Sequence, residues 1–268
     1  SFVAFFKYAA PYVVISTAAT LILGRIRFGI SGLKTDEERE EAKRMVAGFD
    51  ENESVPSQRF FWFSVGVLVC FIFTLAGQSQ LPGGLDGLGM GFVALFFAGI
   101  VLMAYKHEVD KFYSAVDWDL LAFFAALFAV INVMEHALVL NKMGDGIALL
   151  LALPEHINSG VLLVSAAVAS SVTDNIPLAA MLAQILDKLD TSGDSPFWWC
   201  VIFGANLGGN ITPIGSASTV VAATIIHRQK LKLGFMDFVK IAVPFALMQI
   251  VLAIIYVLAM SIMFPEAA

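Results

Sequence analysis

The chain has few charged residues and few cysteines. Asp, Glu, Lys and Arg make up 14% of its 268 residues, and 59% of the residues are hydrophobic. An ordinary soluble domain carries about 25% charged residues, so this shortage of charge excludes that class of protein. The net charge of −6 also argues against a nucleic-acid or other polyanionic partner.

The two cysteines, Cys70 and Cys200, both fall in apolar segments and have no CxxC spacing. This excludes a disulfide framework and a thiolate metal site, and we expect both cysteines to be core residues. The HExxH pattern and the phosphate-loop pattern ending in GK[ST] are also missing from the sequence. No cofactor is therefore expected, apart from a sodium ion or a proton as coupling ion.

Long apolar runs dominate what is present. Crossing a hydrocarbon core about 30 Å thick takes about 18 or more apolar residues. An open sheet cannot satisfy its backbone in lipid, so such runs predict helices and an all-α integral membrane protein. The candidate spans are residues 2–23, 60–77, 88–105, 120–140 and 236–264.

The hydrophilic segments predict the orientation of these spans. Residues 25–59 contain seven Lys and Arg residues, which places this connector in the cytoplasm by the positive-inside rule. Within it, Thr35 is expected to cap a helix that runs through Ala47. The loop 78–87 has no Lys or Arg and is expected on the far side, whereas the basic cluster 227–232 is expected in the cytoplasm.

One internal match points to an inverted repeat. Residues 5–12 and 238–245 share Phe, Lys, Ala and Pro at one constant offset, and each octamer opens a long apolar helix. By the charge rule the two helices run in opposite directions, as in inverted-repeat transporters. Chance similarity between two apolar helices is the alternative. If the match is real, Ser1 begins after the first repeat's own broken helix, and an N-terminal half lies in the same precursor or a separate chain.

The first polar break is the segment 170–177, which lies between apolar stretches. A carboxylate, an amide and three hydroxyls at membrane depth cost several kcal/mol unless they line a polar cavity or bind something. A proline lacks the N–H that a continuing helix needs. An extramembrane turn between two ordinary helices is the alternative. The candidate site residues here are Ser171, Thr173, Asp174, Asn175 and Pro177.

The second polar break is the segment 204–219. Its glycines permit close backbone approach, its proline blocks helix continuation, and its side chains offer oxygens without net charge. Such oxygens suit sodium, and a helix resuming near Ser216 would point its amides at an anion. Tight helix packing by small residues is the alternative. The candidate site residues here are Asn206, Gly208, Gly209, Asn210, Thr212, Pro213, Gly215, Ser216 and Ser218.

These stretches resemble motifs of the ion transporter superfamily. It includes arsenite permeases, the P-protein family, NhaD-type sodium/proton antiporters and, more distantly, citrate and dicarboxylate symporters. The match covers most of residues 116–258: segment 174–177 resembles the hairpin-tip motif, and segment 208–216 resembles the second unwound-helix motif. The Asp174-Asn175 pair is more similar to the antiporters and P-protein relatives than to the Ser-Asn-Thr tip of the dicarboxylate symporters. The second motif is more similar to arsenite permeases.

The resemblance implies a re-entrant hairpin over about 157–189, entering from the outside, and a crossing helix over about 197–227 that is broken near 208–215. The charge rule alone would equally let the first segment cross and the second be re-entrant. The resemblance also implies a homodimer in which a transport domain moves as an elevator. The implied division is 1–24, last helix of the first repeat; 25–59, connector; 60–141, scaffold; 142–156, linker; and 157–268, transport domain.

The sequence therefore predicts a secondary active, cation-coupled transporter in the lipid bilayer, in a prokaryotic inner membrane. Asn175, Asn210 and Thr212 are the expected sodium ligands, and Asp174 is the expected protonatable group. Sodium/proton antiport is the first expectation, arsenite or oxyanion transport the second, and citrate-like anion transport the third. A membrane subunit without transport activity and an intramembrane enzyme are the alternatives from other classes.

Two further acidic and imidazole pairs are 135–136 and 155–156. Each pair has the chemistry of a proton relay, because carboxylates and imidazoles near a membrane shift their pKa readily. Hydrated groups at the membrane interface are the alternative.

Overall fold

The structure, a computed structural model, describes residues 2–33, 35–48, 55, 57–77, 89–193, 195–231 and 233–263. Within these residues every regular element is helical, which confirms the predicted all-α class. The helices are α1 Phe2–Phe28, α2 Asp36–Ala47, α3 Gln58–Gly77, α4 Met90–Ala104, the 3-10 turn Lys106–Glu108, α5 Val109–Ala115, α6 Trp118–His136, α7 Val139–Leu151, α8 Glu155–Ser170, α9 Asn175–Lys188, α10 Pro196–Gly208, α11 Ala217–Arg228 and α12 Phe235–Met263.

Four helices in the described part are long and apolar enough to cross a membrane, namely α1, α3, α6 and α12. They correspond to four of the five predicted spans. The remaining prediction, 88–105, contains α4, whose 15 described residues reach about 22 Å at a rise of about 1.5 Å per residue. That length is less than a hydrocarbon core of about 30 Å.

The chain divides into two compact units, the first comprising residues 1–15 and 21–118 and the second residues 16–20 and 119–268. In the first unit α3 packs against α4, with the Phe71 and Phe97 rings 5.7 Å apart. Helix α2 begins at a capping box in which Thr35 and Glu38 bond each other's backbone N–H groups. This confirms the predicted helix through Ala47.

The second unit is built around α10. This helix packs on α8, α9 and α12, while α7 packs on α8 and α9. Apolar side chains of these helices form the core, and Leu163, Cys200 and Ala205 are fully buried in it. The packing holds in place both ends of the first predicted polar break, α8 and α9, and the α10 end of the second.

The main difference from the predicted spans lies at residues 137–151. The apolar run 120–140 does not form one helix, because α6 ends at His136 and Leu138 adopts a left-handed conformation with φ of 58°. A second helix, α7, then occupies much of the segment assigned to a linker. The functional division into scaffold, linker and transport domain stays a prediction.

The prediction that both cysteines are core residues is half wrong. Cys200 is buried in α10, but Cys70 is exposed on α3. The reason is that α3 is apolar on all sides and none of its residues is buried within this chain. The predicted outer loop 78–87, Lys232 of the basic cluster and the side chains of residues 155 and 156 lie outside the described residues.

Candidate functional site

Both predicted breaks are present in the structure. Residues 171–174, here called the first turn, join α8 to α9, and residues 209–216, the second turn, join α10 to α11. Asp174 ends the first turn as the N-cap of α9, where its Oδ1 accepts the N–H of Ile176 at 3.1 Å. Ser216 ends the second turn as the N-cap of α11 in a capping box with Thr219. Each helix therefore restarts on a side chain that bonds its free amides.

The two turns are joined by buried hydrogen bonds from hydroxyl groups. Thr212 of the second turn donates from Oγ1 to the carbonyl oxygen of Ser171 in the first turn, at 2.6 Å. Ser170, at the end of α8, donates from Oγ to the carbonyl oxygen of Ala205 in α10, at 2.5 Å. Ser170 is 0% exposed and Thr212 7% exposed, so the first of these donors is fully shielded from water and the Thr212 bond is partly buried. The turns are consequently held as one structure.

An amide pair connects the start of α9 to α10. Asn175 donates from Nδ2 to Oδ1 of Asn206 at 3.3 Å, and Asn206 in turn donates from Nδ2 to the carbonyl oxygen of Ile202 at 2.8 Å. The Asn175 oxygen and the second lone pair of the Asn206 oxygen can still accept a ligand. Asn210 is exposed on the second turn. The asparagine that meets Asn175 is therefore Asn206, four residues earlier.

Four glycines allow this close approach. A Cβ atom at Gly208 would overlap the backbone of Ala167 in α8, and one at Gly204 would lie 2.5 Å from the carbonyl oxygen of Leu163. Within the second turn, a Cβ at Gly209 would lie 2.8 Å from the Gly215 carbonyl oxygen. Only residues without a side chain fit at such distances, so the glycines are required for the two turns to meet.

The other predicted site residues make local contacts. Ser171 and Thr173 donate their hydroxyl protons to carbonyl groups of α8, at 2.7 and 2.8 Å. Ser218 lies with its Oγ 3.0 Å from that of Ser216. Pro177 is the third residue of α9, a position where a helix has no partner for the missing N–H. These residues shape the turns without bridging them through their side chains.

The chemistry of the site is that of neutral oxygens around one carboxylate. Segments 170–177 and 204–219 contain one acidic residue, Asp174, and no Lys, Arg or His. Amide, hydroxyl and carbonyl oxygens of this kind are ligands for hard cations. The N-termini of α9 and α11 also begin at the two turns and carry partial positive charge. The arrangement can thus receive a cation on oxygens or an anion on backbone amides.

Sequence reasoning missed part of this site. Ser170 and Gly204 are not among the predicted candidate residues, and their partners, Ala205 of α10 for Ser170 and Leu163 of α8 for Gly204, were not identified. The spacing of Gly204 and Gly208, four residues apart, is a known mark of close helix approach and was the available signal. The identity of the opposing helix had no signal in the sequence.

Glu135, of the predicted relay pair 135–136, forms an ion pair. Glu135, at the end of α6, lies 3.2 Å from Nζ of Lys188 at the end of α9. The same ammonium group donates to Oδ1 of Asn141 in α7 at 3.4 Å. These bonds connect the end of α9 to α6 and α7.

Comparison with known proteins agrees with a membrane transporter. The family model described as citrate transporter matches residues 1–201. The chain therefore belongs to the citrate transporter family, a family of membrane transporters. No solved structure matches the chain.

Individual relatives are similar over much of this chain. A 46 kDa membrane protein of Mycobacterium leprae is 27% identical over 96% of this chain and 59% of its own length. The human P protein is 31% identical over 71% of this chain and 24% of its own length. An uncharacterized transporter of Mycobacterium tuberculosis is 26% identical over 94% of this chain and 58% of its own length. The chain thus spans less than two thirds of each of these relatives.

Proposed function

We propose that this chain forms part of a cation-coupled secondary transporter, and that the coupling ion binds where the first and second turns meet. The observation that carries the proposal is the bridge between the turns from Thr212 to Ser171, with a second bond beside it from Asn175 at the start of α9 to Asn206 in α10. The bonded residues are 41 and 31 positions apart in the chain, so the two polar interruptions come together in an otherwise apolar bundle. Polar groups that converge in this way are characteristic of ion sites in transporters with broken helices.

The oxygens at this place favour a cation. Asn175, Asn206 and Thr212 bring oxygen lone pairs, and the Thr212 hydroxyl keeps its lone pairs while it donates its proton to Ser171. Asp174 supplies the one negative charge, which suits exchange of a sodium ion for a proton. Sodium/proton antiport is accordingly our first candidate, with Asp174 alternately protonated and paired with sodium.

Cotransport of a citrate-like anion is the second candidate. Two observations favour it: the family description names citrate, and the N-termini of α9 and α11 begin at the same place. Helix N-termini bind carboxylate and phosphate groups through their free amides. In this variant of the function, the anion sits on the amides and the cation on the oxygens.

We further propose that α8 and α9 form a re-entrant hairpin in the transport domain of an elevator-type homodimer. Their 16 and 14 residues reach about 24 and 21 Å at a rise of about 1.5 Å per residue. Both lengths fall short of the hydrocarbon core of about 30 Å, which supports two helices that enter and return. The N-terminal repeat of the complete protein would supply the second half of the site.

Replacement of Asp174 by asparagine tests the role of its charge. Asparagine caps helices as well as aspartate does, so Asp174→Asn removes the charge and keeps the N-cap of α9. The complete protein in proteoliposomes would be tested with sodium, citrate and arsenite against imposed pH gradients. We expect Asp174→Asn to abolish cation-dependent flux, because no other carboxylate is present in the two segments.

Asp187→Asn is the matched control, since Asp187 is exposed near the far end of the same helix. Its flux should equal that of the unmodified protein. Asp174→Ala separates folding from transport, because it removes the cap as well and should lower the free energy of unfolding by about 1 kcal/mol. Unchanged flux in Asp174→Asn would refute the role of this carboxylate. Absence of flux for all three substrates in the unmodified protein would refute the proposal as a whole.

A further inference from the structure

A cavity of about 170 Å³ lies between α11 and the beginning of α12. Its wall is almost entirely apolar, and one part of that wall is a residue of the second turn. The lining residues include Pro213, Ala223, Ile226, Leu233, Phe235 and Phe238. A space of this size in a membrane protein suits a short stretch of hydrocarbon chain.

The cavity continues into a second recess of about 440 Å³ with a different character. His227, Leu233 and Gly234 line both spaces, and Lys230 and Asp237 line the second one. Lys230 and His227 are both exposed. The two spaces together therefore offer an apolar end and an end where the exposed Lys230 ammonium lies in the same lining as the Asp237 carboxylate.

The polar groups of this recess have defined roles. The Nδ1 atom of His227 donates to the carbonyl oxygen of Ala223 at 2.9 Å, so Nε2 of the neutral ring is an acceptor and does not donate to an anion. The Asp237 carboxylate accepts the backbone N–H of Gly234 at 3.3 Å, at the beginning of α12. The Asp237 carboxylate thus stabilises the beginning of α12, and Lys230 is the ammonium group that lines the recess.

The charge of the surrounding segment points to an anionic partner. Residues 227–237 contain three Lys or Arg residues and one carboxylate. The positive-inside rule places this segment at the cytoplasmic face, where the membrane carries anionic lipids. Basic pockets between membrane helices on that side bind anionic lipid headgroups.

We propose that this cavity binds an anionic phospholipid, with one acyl chain between Ile226 and Phe238 and the phosphate on Lys230. Pro213 forms part of the wall, and the adjacent Thr212 bonds the first turn. A bound chain therefore supports the second turn from behind and stabilises the contact between the two turns. The proposal does not depend on the transport function, because lipid binding is measured without transport.

The test is thermal unfolding of the complete protein in detergent, with phosphatidylglycerol or phosphatidylcholine of identical acyl chains. Native mass spectrometry of the same samples counts the retained lipids. Phosphatidylglycerol should raise the unfolding midpoint and remain bound, and phosphatidylcholine should have little effect. Lys230→Gln should weaken phosphatidylglycerol binding by a factor of about five, the loss expected for one cation beside an anionic lipid.

Two variants complete the test. Lys142→Gln removes an exposed cation from α7 and should leave the lipid effect unchanged. Ile226→Trp fills the apolar space and should abolish lipid binding while Lys230 remains. Each midpoint is compared with that of the same variant without lipid, so a less stable variant still gives a result. Equal effects of the two lipids, full binding by Lys230→Gln, or an equal effect of inorganic phosphate would overturn the proposal.

Discussion

Alanine at position 208 tests whether the approach of α10 to α8 holds the two turns together. A Cβ atom there would overlap the carbonyl oxygen of Ala167 and would lie 2.6 Å from its Cα atom. Carbon atoms pack at about 3.5–4.0 Å, so the helices must separate by about 1 Å. Overpacking a core costs about 1–3 kcal/mol, and we expect about 3 kcal/mol because backbone atoms cannot rotate away.

The separation has a direct consequence for the site. The hydrogen bond from Ser170 to the carbonyl oxygen of Ala205 is 2.5 Å long and spans the same two helices. A displacement of about 1 Å would lengthen it to about 3.5 Å, beyond the range of a good O–H···O bond. We therefore expect Gly208→Ala to lower transport activity as well as stability.

The assay is equilibrium unfolding of the protein in detergent, monitored by circular dichroism. Gly66→Ala is the control, because Gly66 lies inside α3 and a Cβ there meets no atom within 4 Å. Alanine is the better helix former by about 1 kcal/mol, so this control should be neutral or stabilising. If Gly208→Ala unfolds with the free energy of the unmodified protein, the proposed close contact between α8 and α10 is incorrect.

Two other contacts of the second unit can be tested by substitution. Thr212→Val keeps the side-chain shape but removes the 2.6 Å bond to Ser171, so it should lower the free energy of unfolding by about 1–3 kcal/mol. Thr212→Ser keeps the hydroxyl group and should retain most of the free energy of unfolding. An unchanged valine variant would contradict the bridge. The ion pair of Glu135 and Lys188, whose side chains are 42% and 31% exposed, should show a coupling below about 1 kcal/mol in a double-mutant cycle, decreasing with salt. A larger, salt-insensitive coupling would mean that the pair is desolvated.

The position of the two turns was predictable because local signals specify them. Asp174 followed by Pro177 is a helix start in any context, since an N-cap and an early proline act through their own backbone. Ser216 likewise begins α11 where the sequence predicts that the helix resumes. Signals of this kind need no knowledge of the rest of the fold.

The ending of α6 had no such signal. Leu138 takes a left-handed conformation, which costs a non-glycine residue about 1–2 kcal/mol, and nothing at 137–139 resembles a helix stop. Packing of α7 on α8 and α9 is what imposes this bend. The choice between Asn206 and Asn210 as partner of Asn175 is similar: residues four apart share one helix face, so it depends on where α10 ends, which is Gly208.

The contacts divide the site residues into two groups with different expected behaviour. Ser170 and Thr212 donate their hydroxyl protons to carbonyl groups of the opposing segment, and Gly208 permits the approach, so this group holds the turns together. Asp174 and Asn206 keep oxygen atoms that the protein does not fully use. Asp174→Asn keeps the N-cap of α9, so it should impair the proposed ion binding and leave stability nearly unchanged. In the proposed transporter the ion would add contacts between the two turns, and its binding would then couple to how tightly the turns are joined.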